Sequence, residues 1–339
     1  MGAVRPSPEG GADGLVAGTV ASYRPVTTIL LPSSLDGAPT LPDGVTAVRY
    51  AVDARPPAAA ADADAVVVWG NPGDRLAELA AAAPRVRWVQ TLAAGPDAVL
   101  AAGFAPDVVV TNGRGLHDAT VTEHVLALTL ACVRSVPDLV RAQAERRWAH
   151  ELGGLQPLHD PDRVRTLRGA QVTVWGFGSI AARLAPLLAG LGATVTGVAT
   201  TRGERHGVGV VTPADLPDVL PATDVLIGLL PADASTDRAI GRDVLALLPS
   251  RAWVVNAGRG STLDEAALLA AVRAGRLAGA ALDVFAEEPL PAASPLWDEP
   301  RVLVSPHAAG GRPVGWQDLL TDNVARFVAG TTLRNVVAR

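Results

Sequence analysis

A glycine-rich pattern near the middle of the chain has the residue types and spacing of a dinucleotide site. The segment "VTVWGFGSIAARL" places Gly176, Gly178 and Ala181 directly after an apolar run and at the start of a helical one. The first glycine permits a tight turn, the second lets a pyrophosphate approach the backbone, and the small third residue allows close helix packing. An ordinary tight turn is the alternative, but the strand–turn–helix context favours a nucleotide site.

The segment "TGVATTRGE" indicates which dinucleotide binds. In a Rossmann fold, an acidic residue about 20 positions after the glycines holds the ribose of NAD. Thr200 lies 22 residues after Gly178 (200 − 178), and the segment offers Thr200, Thr201 and Arg202 but no acid before Glu204. Two hydroxyls and a guanidinium suit a 2′-phosphate, so the sequence favours NADP(H) over NAD(H). The alternative is a solvated arginine, with Glu204 or the backbone contacting the ribose.

Two α/β units are predicted to position these residues. Residues 1–24 are rich in Gly, Pro, Ser and Ala without periodicity, which indicates a flexible N-terminal extension. From there to about residue 111, five apolar runs alternate with Ala-rich or Pro-punctuated segments: "VTTILLP", "VTAVRYAV", "AVVVWG", "VRWVQTL" and "DVVVT". This rhythm is typical of a parallel sheet with helical crossovers.

A second α/β rhythm follows a long helical stretch, residues 119–148, which Pro137 interrupts. At least six strand candidates lie between residue 170 and "RVLVSP", and the helical tail "PVGWQDLLTDNVARFVAG" is expected to return to the first unit. The predicted fold class is α/β, with two Rossmann-like or flavodoxin-like domains built on doubly wound parallel sheets. We expect a substrate domain (25–118 and 313–339), a dinucleotide domain (119–312) and an active site in the cleft between them.

The composition restricts the function classes. Apolar residues make up 49% and charged residues 19%, and the chain has 29 basic and 34 acidic residues, so no nucleic-acid partner is predicted.

No run approaches the ~20 apolar residues of a membrane span and no signal peptide is recognisable, so we expect no membrane partner and a cytoplasmic location. The single cysteine, Cys132, excludes an internal disulfide. The histidines show no paired ligand spacing, so no metal is predicted.

Four ordered segments resemble the D-isomer-specific 2-hydroxyacid dehydrogenase family. They are "RVRWVQTLAAGPD", "TLRGAQVTVWGFGSIA", "VVNAGRGSTLDEAALLAAVRAGRLAGAALDVFAEEPL" and "SPLWDEPRVLVSPHAAGG". The resemblance runs from about residue 25 to the C-terminus, and four motifs in order are more specific than one glycine loop. It implies the reduction of a 2-oxo acid to a D-2-hydroxy acid by hydride transfer from a nicotinamide dinucleotide.

The resemblance implies three catalytic residues: Arg259 of "NAGRG", Glu288 of "FAEEP" and His307 of "SPH". A planar guanidinium can hold the carboxylate and the ketone oxygen of a 2-oxo acid together. His307 would be the general acid of reduction and the base of oxidation, with Glu288 holding the ring and favouring its protonated form. Singly, each residue could be structural or solvated, but their joint occurrence in matching motifs favours catalysis.

The resemblance also assigns binding groups. Main-chain N–H groups of Ala94 and Gly95, with Ala93 adjacent, are candidates for holding the substrate carboxylate, and a plain strand-to-helix turn is the alternative. Asp283 is expected to bond the nicotinamide carboxamide, and His124 is expected to be a helix-face residue. The other cofactor candidates, besides the two glycines and the segment 200–202, are Ser179, Ile180, Leu230, Pro231, Thr236 and Ala257.

The sequence therefore predicts an NAD(P)-dependent reductase of small 2-oxo acids, of the glyoxylate or hydroxypyruvate class. The alternatives are a phosphoglycerate dehydrogenase-like NAD enzyme and a dinucleotide-sensing binding protein of the same fold. We expect no C-terminal regulatory domain like that of many phosphoglycerate dehydrogenases. Formate dehydrogenases are disfavoured because they carry Gln where this chain has Glu288. The long helical stretch and the habit of the family favour a homodimer.

Overall fold

The computed structural model describes residues 27–157 and 159–337, which form a parallel sheet and a second sheet that is parallel except at one edge strand, Gly203–Arg205, each with its own apolar cores. The N-terminal extension predicted for residues 1–24 lies outside the described residues. Both sheets are covered by helices on their two faces, as parallel strands require when they are apolar throughout. The predicted α/β class with two doubly wound units is confirmed.

The first sheet contains the five strands that the apolar runs predict. They are β1 (Thr27–Pro32), β2 (Val45–Tyr50), β3 (Ala65–Val68), β4 (Trp88–Thr91) and β5 (Val109–Thr111). All pair in parallel, in the order β2-β1-β3-β4-β5. The crossovers contain two helices, α1 (Gly73–Ala82) and α2 (Asp97–Ala101). This is the flavodoxin-like strand order.

The chain leaves the first sheet through two helices, where the sequence predicts one interrupted stretch. They are α3 (Asp118–Val133) and α4 (Val136–Ala144), separated by Ser135 in the left-handed conformation with φ 55°. Pro137 lies in the first turn of α4, where its missing N–H has no intrahelical partner to lose. The interruption therefore precedes the proline. Cys132 is buried in α3, and burial raises the pKa of its thiol to about 12.

The second sheet has eight strands in the order β10-β11-β9-β8-β12-β13-β14-β15. After a short ribbon of β6 (His159–Asp160) and β7 (Arg163–Val164), its strands are β8 (Gln171–Trp175), β9 (Thr194–Val198), β10 (Gly203–Arg205), β11 (Val208–Val211), β12 (Val225–Gly228), β13 (Trp253–Asn256), β14 (Gly279–Leu282) and β15 (Val302–Val304). The six predicted strands are present. The β10–β11 hairpin was not predicted. Its two strands contain glycines and are mostly half-exposed or exposed, so they lack a strong apolar pattern.

Helices complete both units. They are α5 (Ser179–Gly190), α6 (Leu216–Val219), α7 (Arg242–Leu247), α8 (Glu265–Arg273) and α9 (Trp316–Ala329). The last of these packs on the first sheet, where Trp316 and Leu320 join a core with Leu31 and Trp88. Within residues 27–157 and 159–337, no helix combines the length and the apolar character needed to cross a bilayer.

Candidate active site

The candidate residues follow the carboxyl ends of parallel strands. The glycine loop follows β8, Leu230 and Pro231 follow β12, and Arg259 follows β13. Asp283 comes directly after β14, and His307 comes three residues after β15. Because parallel strands end at the same edge of a sheet, the register brings these groups together although the sequence separates them by more than 100 residues.

His307 and Glu288 form a hydrogen-bonded pair. The Nδ1 atom of His307 lies 2.6 Å from Oε2 of Glu288. A carboxylate can only accept, so Nδ1 carries a proton. The other oxygen of Glu288 accepts from the backbone N–H of Phe285 at 2.9 Å, which fixes the carboxylate. The Nε2 atom of His307 has no partner among the described residues, and the side chain is 49% exposed. The ring is therefore oriented with one nitrogen free to exchange a proton with a ligand.

The backbone of His307 is strained. Its φ is 54°, a left-handed conformation that costs a side chain-bearing residue ~1–3 kcal/mol. Asp283 stabilises this conformation, because its main-chain oxygen accepts from the N–H of His307 at 2.8 Å. The Asp283 carboxylate also accepts from the N–H groups of Ala308 and Ala309, at 2.8 and 3.1 Å.

The Asp283 environment differs from the expected one. Its carboxylate is buried, and it accepts from Ser305 Oγ as well as from the two alanine N–H groups. The structure thus gives Asp283 a role in holding the His307 loop. The bond to a nicotinamide carboxamide stays a prediction, and it would have to share an acceptor oxygen that these donors already use.

His124 belongs to the same network, which the sequence did not indicate. Its Nε2 lies 2.9 Å from Ser305 Oγ and 3.2 Å from Oδ1 of Asp283. His124 lies on a helix, as expected, but its ring meets Ser305 and Asp283, which hold the loop that carries His307. The spacing of "TEH" contains no signal for this, since the contact spans 181 residues.

Arg259 is held where β13 ends. The backbone carbonyl of Arg259 accepts from Thr262 Oγ1 at 2.7 Å and from the Asn256 side chain at 3.2 Å. Its guanidinium packs against Gly95, where an added Cβ would overlap it, and Nε lies 3.6 Å from the Asp97 carboxylate. Arg259 therefore contacts the loop after β4, a strand of the first sheet. No hydrogen bond or ion pair among the described residues joins Arg259 to the His307–Glu288 pair.

The loop after β4 presents two unused donors. Within the part of the chain that the structure describes, the N–H groups of Ala94 and Gly95 donate to no protein atom. The N–H of Ala93 differs, because it donates to Thr91 Oγ1 at 3.2 Å. The N–H groups of Ala94 and Gly95 can thus donate to a carboxylate beside the guanidinium of Arg259, whereas the N–H of Ala93 is already used.

The glycine loop fits a pyrophosphate. Gly176 has φ 102°, and an added Cβ would overlap the backbone carbonyl of Leu229. Gly178 is the N-cap of α5, and an added Cβ there would meet no protein atom within 4 Å. Ser179 and Ile180 form the first turn of α5, whose N–H groups have no intrahelical acceptors. Open space at a helix N-terminus suits an anionic group.

The other cofactor candidates line neighbouring strand ends. Leu230 is 7% exposed, and Thr236 Oγ1 donates to the carbonyl of Pro231 at 2.7 Å, which closes the loop after β12. The N–H of Ala257 donates to Gly228 at 3.1 Å. These contacts fix the backbone of the loops.

The segment after β9 makes contacts between charged residues that the sequence does not indicate. Arg202 forms an ion pair with Asp215, although its side chain is 65% exposed. The pKa of the Asp215 carboxyl is lowered by bonds from the backbone and the hydroxyl of Thr212 and, further, by Arg202. Arg205 folds back over the glycine loop, where it donates to Phe177 O at 3.3 Å and to Thr201. Arg205 thus contacts Thr201, and Arg202 of the same segment is already paired with Asp215.

Metal binding finds no support in this part of the molecule. Over residues 27–157 and 159–337, no three His, Cys, Asp or Glu side chains gather in a way that could hold an ion.

Comparison with known proteins identifies the family. The model of the family described as D-isomer specific 2-hydroxyacid dehydrogenase, NAD binding domain, matches residues 126–309, more than half of the chain. The chain is 33% identical over 289 residues to a glyoxylate/hydroxypyruvate reductase A of Salmonella paratyphi B, covering 82% of this chain and 86% of that protein. The chain belongs to the D-isomer-specific 2-hydroxyacid dehydrogenase family, as the four motifs predict.

Solved structures of 2-hydroxyacid dehydrogenases are also similar to this chain. A D-isomer specific 2-hydroxyacid dehydrogenase from Xanthobacter autotrophicus Py2, in complex with NADPH and MES, superposes with a TM-score of 0.75 at 30% identity, covering 93% of this chain and 98% of that one. An NADPH-dependent glyoxylate/hydroxypyruvate reductase from Sinorhizobium meliloti, in complex with NADP and sulfate, gives a TM-score of 0.76 at 27% identity, covering 92% and 98%.

The close approach of Gly95 to Arg259 predicts the effect of a single methyl group. Gly95→Ala should displace the guanidinium, which is the flexible end of its side chain, and leave stability nearly unchanged. Loss of a hydrogen bond to a charged group, ~1.5–3 kcal/mol, corresponds to roughly 10- to 150-fold in kcat/KM for a 2-oxo acid. Gly73→Ala is the matched control, because its Cβ would meet open space. Equal kinetics for the two variants would show that Arg259 does not need its observed position.

The His307–Glu288 pair predicts a kinetic effect of the carboxylate. Glu288→Gln keeps the size of the side chain but removes the charged acceptor of the His307 ring, so kcat/KM for ketone reduction should fall roughly 10- to 150-fold, the effect of losing a hydrogen bond to a charged group. The measurement is kcat/KM for reduction in the wild-type protein and in the variant. Wild-type kinetics in Glu288→Gln would mean that the reaction does not need the carboxylate.

Proposed function

We propose that this protein reduces a small 2-oxo acid, of the glyoxylate or hydroxypyruvate class, to the D-2-hydroxy acid, with NADPH as the preferred cofactor. The observation that carries this is the 2.6 Å His307–Glu288 pair at the same sheet edge as Arg259. Relatives named glyoxylate/hydroxypyruvate reductase, two of the solved ones with NADP in their complexes, support the substrate class and the cofactor. The active site lies in the cleft between a substrate domain (25–118 and 313–339) and a dinucleotide domain (119–312).

The residues of this chain suit the steps of such a reduction. Arg259 and the N–H groups of Ala94 and Gly95 bind the substrate carboxylate, and the guanidinium polarises the ketone. The glycine loop would hold a nicotinamide dinucleotide, which would supply the hydride. His307 donates its Nε2 proton to the developing alkoxide, and Glu288 stabilises the ring while it is charged. Main-chain donors and a buried support for the histidine keep these groups in place before substrate arrives.

The preference for NADPH rests on the charge around Thr200 and Thr201. Arg202 and Arg205 bring two guanidinium groups to this segment, and Asp215 neutralises one of them. Arg205 is the residue that sequence reasoning missed. It contacts both the glycine loop and Thr201, so it can bind a 2′-phosphate with less reorganisation than Arg202, which must leave its ion pair.

The activity is tested with a panel of 2-oxo acids and both reduced cofactors, measuring the absorbance of the dinucleotide. We expect turnover of glyoxylate or hydroxypyruvate. His307→Ala should lower it by ~100- to 10,000-fold, the usual effect of removing a general acid, while dinucleotide binding stays intact. A wild-type protein that binds the dinucleotide tightly and turns over no member of the panel would be a sensor rather than a reductase.

Cofactor preference is tested through the ratio of kcat/KM for NADPH to that for NADH. Arg202→Ala should reduce this ratio, because only NADPH carries the 2′-phosphate, and Arg205→Ala should reduce it at least as much. The expected effect is roughly 10-fold for each, the low end for a bond to a charged group, because Arg202 is exposed to screening. A wild-type ratio in favour of NADH, or a ratio that neither substitution changes, would contradict the phosphate site.

A homodimer is the proposed assembly. Five large apolar side chains that are more than 40% exposed lie between residues 136 and 155: Val136, Leu139, Val140, Trp148 and Leu155. Such a concentration is typical of a protein contact. Light scattering should give the mass of a dimer for the wild-type protein, and Val140→Glu should shift the mass toward the monomer. A wild-type monomer would contradict the proposal, and it would leave the active site assignment unchanged.

A further inference from the structure

His117 joins the two loops of the active site. The residue precedes α3 and is 6% exposed. Its Nε2 lies 2.8 Å from the carbonyl oxygen of Leu92, directly before the substrate-carboxylate loop. Its Nδ1 lies 2.8 Å from the carbonyl oxygen of Gly310, three residues after His307. One buried ring therefore contacts the backbone on both sides of the cleft.

The two acceptors determine how many protons the ring holds. A backbone carbonyl oxygen only accepts hydrogen bonds, and a neutral imidazole has a single N–H donor. With one proton, a ring nitrogen lone pair would face a carbonyl oxygen at 2.8 Å, which is repulsive. With two protons, both contacts are hydrogen bonds to a charged donor, the stronger class of hydrogen bond.

The surroundings of the ring provide further evidence. The indole of Trp69 stacks on it, with 5.4 Å between ring centroids and 24° between planes, an arrangement that favours a cation over an aromatic face. No ion pair among the described residues involves His117, so the charge of a doubly protonated ring is stabilised by the two carbonyl oxygens and by the Trp69 ring rather than by a carboxylate. The N-terminus of α3 opposes a positive charge, and Asp118 in the first turn offsets this effect.

The two carbonyl groups that His117 meets are themselves held by other contacts. Gly310 O also accepts from Thr120 Oγ1 at 2.7 Å, so two residues at the start of α3 hold this carbonyl. On the other side, Gly113 lies so close to Leu92 that an added Cβ would overlap its carbonyl group. Neither carbonyl can move away from the ring without disturbing α3 or the loop after β5.

We propose that His117 is a positioning residue that holds two ring protons and sets the distance between the substrate-carboxylate loop and the catalytic-histidine loop. It contacts neither substrate nor cofactor. Through Leu92 it fixes the loop that presents Ala94 and Gly95, and through Gly310 it fixes the loop that carries His307. The kinetic part rests on the proposed reduction of 2-oxo acids, whereas the proton count does not.

The kinetic test uses His117→Phe, which keeps a ring against Trp69 and removes both donors. We expect kcat for the 2-oxo acid to fall roughly 10- to 100-fold per folded active site, with unchanged dinucleotide affinity, because the proton donor no longer meets the bound substrate correctly. His117→Gln, which keeps an N–H donor, should retain an intermediate kcat. His150→Phe is the matched control, since His150 is exposed, and it should keep wild-type kinetics. Wild-type kcat in His117→Phe would overturn the positioning role.

The proton count needs no activity, because it is read from two-bond ¹H–¹⁵N spectra of ¹⁵N-histidine protein at neutral pH. The spectra should include a histidine with both ring nitrogens protonated whose signal persists in His307→Ala and in His150→Phe. The same signal should be absent from His117→Gln. A neutral tautomer at His117 would overturn the two-donor contact, even if the enzyme assay succeeds. A protein without reductase activity that shows the doubly protonated ring would contradict only the proposed function.

Discussion

The buried carboxylate of Asp283 is the constraint on which the catalytic loop depends. His307 adopts a left-handed backbone that costs ~1–3 kcal/mol, and a buried carboxylate is itself unfavourable unless its oxygens are satisfied. The hydrogen bonds between the carboxylate and the loop offset both costs. The carboxylate receives the N–H groups of Ala308 and Ala309, and these bonds hold the turn that orients His307. Ser305 and His124 complete the acceptor positions. The catalytic ring is thus oriented by charge-assisted bonds to the backbone, which are stronger than neutral ones.

Much of the fold and the pairing of His307 with Glu288 could be predicted because the signals are local or belong to short motifs. Buried parallel strands appear as continuous apolar runs, so five strands of the first sheet and six of the second were recognisable. Contacts that bridge distant segments were not. His124 meets Ser305 across 181 residues, and His117 meets Gly310 across 193. Nothing in the sequence around either histidine distinguishes it from a solvated or core residue.

The charges near Thr200 and Thr201 could likewise be predicted only in part, because some of them come from distant segments. The sequence identifies Arg202 by its distance from the glycines, but the β10–β11 hairpin decides which other charges are near. The hairpin brings Arg205 back to Phe177, and the turn after it places Asp215 against Arg202. The strand end alone offers Arg202 and, two residues later, Glu204, whereas the folded segment adds the guanidinium of Arg205 and the carboxylate of Asp215. In the proposed NADPH site, the balance among these charges, rather than one arginine, sets the affinity for a phosphate.

The proposed substrate site is built mainly from backbone, and this has a consequence for specificity. In the proposed reduction, the N–H groups of Ala94 and Gly95 and the guanidinium of Arg259 bind features that all 2-oxo acids share, a carboxylate beside a ketone. Such a set fixes the orientation of the substrate without discriminating among its side chains. Arg259 reaches this loop only because Gly95 lacks a side chain, and its Nε lies 3.6 Å from Asp97 on the same loop. The common chemistry thus depends on small residues and fixed backbone, so substrate choice can change through neighbouring side chains while the reaction geometry is retained.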